Sequence, residues 1–105
     1  MRPNSRILET KLKQNLELEL GNNYKILRID YYTSHNRIEL VLTPKDRLSP
    51  RVIYIYPITT DNPQTWSANM TVFNQGSQHN NIELLKLAIK TLTTTIKTIK
   101  ENTKQ

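Results

Sequence analysis

Residues 24–58 read YKILRIDYYTSHNRIELVLTPKDRLSPRVIYIYPI, and this stretch decides the fold. It contains three runs rich in β-branched and aromatic residues, at 24–33, 37–43 and 51–58. Runs of this composition, bounded by short polar or proline-containing segments, are typical of β-strands. The links between them are too short to hold crossover helices, so we expect the strands to pair mainly in antiparallel fashion.

A helix is predicted N-terminal to these strands, because leucines recur there every four residues, at Leu8, Leu12, Leu16 and Leu20. It would be capped by Asn4 or Ser5 and end at Gly21. The segment LELEL at 16–20 also alternates as a strand does. A hairpin that turns at 21–23 is therefore the competing interpretation.

A fourth strand candidate, 66–73, and a polar link, 75–81, lead into a C-terminal helix capped by Asn80 or Asn81. Apolar residues of this helix recur at alternating spacings of three and four, the pattern of a heptad seam: Ile82, Leu85, Ile89, Leu92, Ile96 and Ile99. Additional apolar residues widen its first half, whereas threonines narrow its second half. We expect the first half to pack on the sheet and the second half to project, with a frayed tail after about residue 100.

Together these elements predict one small α+β domain spanning 1–105. It has an N-terminal helix, a mainly antiparallel sheet of three to four strands and a long C-terminal helix. The order of helix, strands and helix resembles that of double-stranded-RNA-binding domains. Those domains carry a basic cluster at the start of the last helix, where this chain has SQHNN at 77–81. The resemblance therefore concerns the order of elements and implies no function.

The composition argues against several functions. Cysteine is absent, which excludes disulfide scaffolds, thiolate nucleophiles and cysteine-ligated zinc. The two histidines, His35 and His79, fall in predicted polar loops, and no spacing matches a metal-binding or phosphate-cradling motif. We therefore expect a protein that is not an enzyme, with no catalytic residue, metal or cofactor. No apolar run is long enough to span a membrane and no secretory signal is present, so we expect a cytoplasmic protein with no membrane partner.

The charge favours a nucleic-acid partner. The chain has a net charge of +6 and a pI of about 9.7, which is the basic balance typical of nucleic-acid-binding proteins. If both helices cover one sheet face, strand alternation leaves Arg28 and Tyr32 with Tyr54 and Tyr56 on the other. Tyrosines beside arginines form a surface on which unpaired bases can stack. The competing interpretation is that these tyrosines merely pair across half-exposed strands.

Basic residues elsewhere extend the predicted nucleic-acid site. Lys45, Arg47 and Arg51 could reach phosphates from a loop bounded by prolines. Lys86 and Lys90 lie outside the apolar seam of the last helix, where a solvated helix face is the alternative explanation. This hypothesis of a small basic, nucleic-acid-associated or regulatory binding module predicts affinity that falls steeply with salt.

The alternative function is that of a protein-protein adaptor or inhibitor, of a kind that a phage or mobile element could encode. Isoleucine and leucine at successive core positions of the seam favour parallel helix pairs. A homodimer would then use Leu92, Ile96 and Ile99 as its partner or dimer interface. An acidic protein surface is the partner that this hypothesis pairs with the basic residues.

Overall fold

The computed structural model describes residues 5–58, 62–72 and 81–103. The elements are, in order, helix α1 (Ser5–Leu20), strands β1 (Tyr24–Tyr32), β2 (Arg37–Pro44), β3 (Arg51–Tyr56) and β4 (Ser67–Val72), and helix α2 (Asn81–Thr103). This order confirms the predicted α+β class, with four strands in the sheet. The predicted link at 75–80, the end of the fourth strand at Phe73 and the tail at 104–105 lie outside the described residues.

Helix α1 adopts the predicted helical register, and the strand interpretation of 16–20 is wrong. Its four spaced leucines are all buried: Leu8, Leu12, Leu16 and Leu20. The helix ends where the Gly21 N–H donates to the Glu17 carbonyl oxygen at 2.8 Å. A Cβ atom at Gly21 would lie 2.3 Å from that oxygen, so close backbone approach, and not a positive φ, makes glycine necessary here.

The four strands form an antiparallel sheet in the order β1-β2-β3-β4. A 3-10 turn, Thr33–His35, joins β1 to β2. Asn36 follows it with a φ of 52°, in the left-handed region that asparagine tolerates better than most residues. The Asn36 carbonyl also accepts from the Ile58 N–H at 2.9 Å, which ties the end of this hairpin to the chain after β3.

The sheet has one covered and one open face. The covered face meets both helices in a single core, to which β2 contributes Ile38, Leu40 and Leu42. A register shift between Ile26 and Arg28 changes which residues of β1 face this core. The open face consists of the alternate residues of each strand: Lys25, Arg28, Asp30, Tyr32, Arg37, Glu39, Val41, Thr43, Val52, Tyr54, Tyr56, Ser67, Asn69 and Thr71.

The threonine-rich pattern predicts that the second half of α2 projects. This prediction is wrong, because the second half packs against α1. Thr91 and Thr95 are buried there, and the Asn15 side-chain amide donates to the Thr95 hydroxyl at 2.8 Å. Thr95 in turn donates to the Thr91 carbonyl at 2.7 Å, so its hydroxyl is satisfied inside the helix pair. The first residue of the predicted seam, Ile82, is instead 66% exposed.

A carboxylate from α1 covers part of the outer edge of the sheet. The Tyr31 N–H of the edge strand β1 donates to Glu9 Oε2 at 2.7 Å. A backbone donor that another strand could pair with is thereby already occupied. Among the described residues, no helix is long and apolar enough to cross a membrane.

Candidate nucleic-acid interface

The four open-face residues predicted from strand alternation do lie on one face of the sheet. Arg28 and Tyr32 come from β1, while Tyr54 and Tyr56 come from β3, two strands away. Tyr32 and Tyr56 are each about two-fifths exposed, at 37% and 40%. The structure thus presents tyrosine rings to solvent on a face that neither helix covers among the described residues.

Arg37 lies between these tyrosines and was missed from the sequence. As the first residue of β2 it pairs with Tyr32, and its guanidinium carbon stands 5.1 Å from the Tyr32 ring centroid and 5.5 Å from that of Tyr54. Both distances fall within cation–π range. Its Nε is buried without a hydrogen-bond partner among the described residues. The signal in the sequence was its spacing of two from Glu39, which puts both side chains on one face.

Arg28 occupies a different electrostatic environment. Its Nε lies 2.8 Å from Asp30 Oδ2, and its Nη2 lies 2.7 Å from Glu39 Oε1. These two carboxylates more than balance its single charge, so Arg28 is poorly placed to attract a phosphate. The charged residues of the open face are two arginines, two acids and Lys25, which lies at the far end of β1 from Tyr32, so their charges sum to +1.

A shallow cavity of about 510 Å³ opens on this face beside Arg37. Its walls come from β2, β3 and β4 and from the turn before β2: His35, Arg37, Glu39, Tyr54, Tyr56 and Asn69. The volume lies within the range of small-ligand pockets, about 300–1,000 Å³. We call this cavity the Glu39 pocket, after the carboxylate that lines it.

The three basic residues of the predicted phosphate-binding loop differ in their exposure to solvent. Lys45 and Arg47 are exposed, whereas Arg51 is buried, with 4% of its surface accessible. The Arg51 guanidinium lies 5.8 Å from the Tyr24 ring centroid, and its Nη1 donates to the Ser49 carbonyl at 3.3 Å. The prediction that Arg51 reaches a phosphate is therefore corrected: its side chain packs within the chain.

Lys45 and Arg47 also lie far from the tyrosines. They follow the end of β2, whereas Arg37 begins it, and eight residues of strand span about 23 Å between their first and last Cα atoms. The loop itself is held by Thr43, whose hydroxyl donates to the Arg47 carbonyl at 3.1 Å and accepts from the Ser49 N–H at 2.9 Å. A ligand that touched both sites would have to run along the strand.

Lys86 and Lys90 are exposed on α2, and α2 packs on the covered face. The sheet therefore separates these lysines from the open-face tyrosines. The predicted nucleic-acid residues do not form one continuous surface. They form three separate groups, on the open face, in the β2–β3 loop and on the helix side.

The predicted partner interface on α2 lies in the core of the chain itself. Leu92, Ile96 and Ile99 are all buried, and they belong to the same cluster as the leucines of α1. The heptad spacing was real, but its partner is α1 together with the sheet and not a second helix from another chain. These three residues are therefore corrected from surface to core.

In the described parts of the chain, no group of three or more His, Cys, Asp or Glu side chains could hold a metal ion. No protein-family model, no curated protein and no solved structure matches this chain.

Proposed function

We propose that the protein binds single-stranded nucleic acid, RNA or DNA, on the open face of its sheet. The observation that carries the proposal is the position of Arg37, whose guanidinium lies between the rings of Tyr32 and Tyr54. Aromatic rings beside an arginine are the groups on which unpaired bases stack in single-strand-binding proteins. The proposed role is binding, with no chemical step.

Stability alone gives a poor reason for this arrangement. A buried donor without a partner, such as Arg37 Nε, costs about 1–3 kcal/mol. The two ring contacts return about 0.5–1 kcal/mol each at a partly exposed site. An arginine that contributes little to the fold but is held in one orientation is better explained by a ligand.

The charge balance of the open face changes the expected salt dependence. Because Arg28 is neutralised by Asp30 and Glu39, Arg37 and the more distant Lys25 are the two cations left for phosphates among the described residues of this face. Each phosphate neutralised on a single strand contributes a slope of about −0.7 in a plot of log affinity against log salt. We expect a slope between about −0.7 and −1.5, much shallower than the net charge of +6 suggested.

The test is fluorescence anisotropy with labelled 12-nucleotide single strands of mixed sequence, as RNA and as DNA. Tyr56→Ala should weaken binding by about 5- to 150-fold, since stacking one base is worth about 1–3 kcal/mol. Tyr56→Phe keeps the ring and should restore most of the affinity.

The control is Lys90→Ala on the helix side, which removes a positive charge away from the open face. It should change the affinity little. No binding of either strand at low salt would refute the proposal. So would a larger loss from Lys90→Ala than from Tyr56→Ala, since that result would place the ligand on the helices.

A further inference from the structure

We propose that the Glu39 pocket holds one guanine base of the bound strand and gives the protein a preference for guanine. This inference rests on the proposed function, because it assigns a specific nucleotide to part of the same face. It follows from the hydrogen-bonding groups that line the pocket and from their charges.

Glu39 supplies the acceptor. It lies in the middle of the open face, on a central strand, and is only 9% exposed. Its Oε1 accepts from Arg28 Nη2 at 2.7 Å, while its Oε2 has no hydrogen-bond partner among the described residues. A carboxylate so far removed from water is stabilised by any further donor that reaches it.

Arg37 supplies the donors. It stands two residues from Glu39 on β2, so the two Cα atoms are about 6.6 Å apart and both side chains rise from the same face. Its guanidinium carbon lies 5.1 Å from the Tyr32 ring centroid and 5.5 Å from that of Tyr54, and Arg37 forms no ion pair with any described residue. The pocket therefore offers a fork of donors beside a carboxylate acceptor.

Guanine is the base that complements both groups. Its O6 and N7 are adjacent acceptors, the pair that an arginine contacts in its commonest specific interaction with a base. Its N1–H and N2–H₂ are adjacent donors, which a carboxylate can accept together. Adenine and cytosine each offer one amino group beside an acceptor. Uracil offers a single N–H flanked by two carbonyl oxygens, which a carboxylate repels.

The charge of the surroundings also favours a base over a phosphate in this pocket. Arg28 and Arg37 are matched by Asp30 and Glu39 across the neighbouring strands. A neutral base adds no charge to this balanced set, whereas a phosphate would lie beside the Glu39 carboxylate. Tyr56 and Tyr54 line the same pocket and provide rings for the base to stack on.

The test uses uridine 8-mers that carry one central guanosine, adenosine, cytidine or uridine. A single guanosine in each strand avoids the association of guanine-rich strands with one another. Anisotropy titrations of the wild-type protein should show the guanosine strand binding about 5- to 150-fold more tightly than the all-uridine strand, with the other two between them. Competition by guanosine 5′-monophosphate should exceed that by uridine 5′-monophosphate.

Glu39→Gln should bring the guanosine strand down to the affinity of the uridine strand. Asp30→Asn is the matched control, because it removes the same charge from the same face and also breaks an ion pair with Arg28, but lies outside the pocket. It should retain the guanine preference. Circular dichroism of both variants checks that each is folded.

The outcomes separate the two proposals. Equal affinities for all four strands would overturn the guanine pocket and leave single-strand binding standing. Loss of the preference in Asp30→Asn as well as in Glu39→Gln would also overturn the pocket, because the preference would then follow the charge of the whole face. Failure of the wild-type protein to bind any strand would refute the proposed function and the pocket together. The competition assay uses the wild-type protein and so does not depend on the folding of any variant.

Discussion

Two leucines of α1 give the sharpest test of the fold. Leu16 is fully buried, whereas Leu18 is 84% exposed, although both belong to the alternating segment LELEL. A strand over these residues would place both leucines on one face, and a helix separates them. Replacement of either leucine by alanine removes the same atoms. The difference between the two variants therefore measures burial and little else.

We expect Leu16→Ala to lower the free energy of unfolding by about 2–5 kcal/mol, because the lost burial is joined by the cost of a cavity. Leu18→Ala should change it by less than about 0.5 kcal/mol. The slightly higher helix propensity of alanine acts on both variants alike. A domain of this size has a total stability of roughly 5–15 kcal/mol, so the first change removes a large part of it.

Urea unfolding followed by far-ultraviolet circular dichroism measures this difference. With a slope of about 1–3 kcal/mol per molar, a loss of about 3 kcal/mol lowers the midpoint by roughly 1–3 M. Fluorescence of Trp66, the one tryptophan of the chain, provides a second probe of the same transition. Equal midpoints for the two variants would refute the helical register and favour a strand.

Substitutions at Asn15, Gly21 and Asn36 test two individual contacts and one backbone conformation. Asn15→Ala removes the donor to the Thr95 hydroxyl and should lower the free energy of unfolding by about 0.5–1.5 kcal/mol. A double-mutant cycle with Thr95→Val that shows no coupling energy would contradict this bond. Gly21→Ala places a Cβ 2.3 Å from the Glu17 carbonyl oxygen and should cost about 1–3 kcal/mol, so a wild-type urea midpoint would argue against the close approach. Asn36→Val forces a β-branched residue to a φ of 52° and should lower the free energy of unfolding by about 1–2 kcal/mol, whereas Asn36→Gly should be nearly neutral. Equal melting temperatures of the two variants in thermal unfolding would exclude the left-handed conformation.

Local patterns were enough to predict the elements of the fold. The four-residue leucine spacing of α1 and the β-branched runs of the strands depend on neighbours in the sequence, and each was found within a few residues of its predicted bounds. The shared face of Tyr54 and Tyr56 follows from strand alternation alone. The shared face of Arg28 and Tyr32 follows from the same alternation, whereas the register shift after Ile26 changes the face of residues 24–26 and has no signal in the pattern.

The failures involve contacts between distant parts of the chain. The stripe on the second half of α2 was visible, but its partner α1 is about 80 residues away, as the pair Asn15 and Thr95 shows. Periodicity identifies an apolar face without identifying what covers it. The charge of Arg51 predicts an exposed side chain, yet the Tyr24 ring and the Ser49 carbonyl accommodate it inside. The role of Arg37 has no local signal in the sequence, because its ring contacts, Tyr32 and Tyr54, come from the strands on either side of β2.

The bond between Asn15 and Thr95 joins α1 to α2, the last helix to be synthesised, and this order has a consequence for synthesis of the protein. Hairpins form within about 1–10 μs, whereas the ribosome adds about 5–20 residues per second. The four strands therefore pair well before the 23 residues of α2 are complete, which takes about 1–5 s. During that interval the apolar side of the nascent sheet has only α1 to shield it. We expect the yield of folded protein in a cell to depend on chaperones and on how quickly the last quarter of the message is translated.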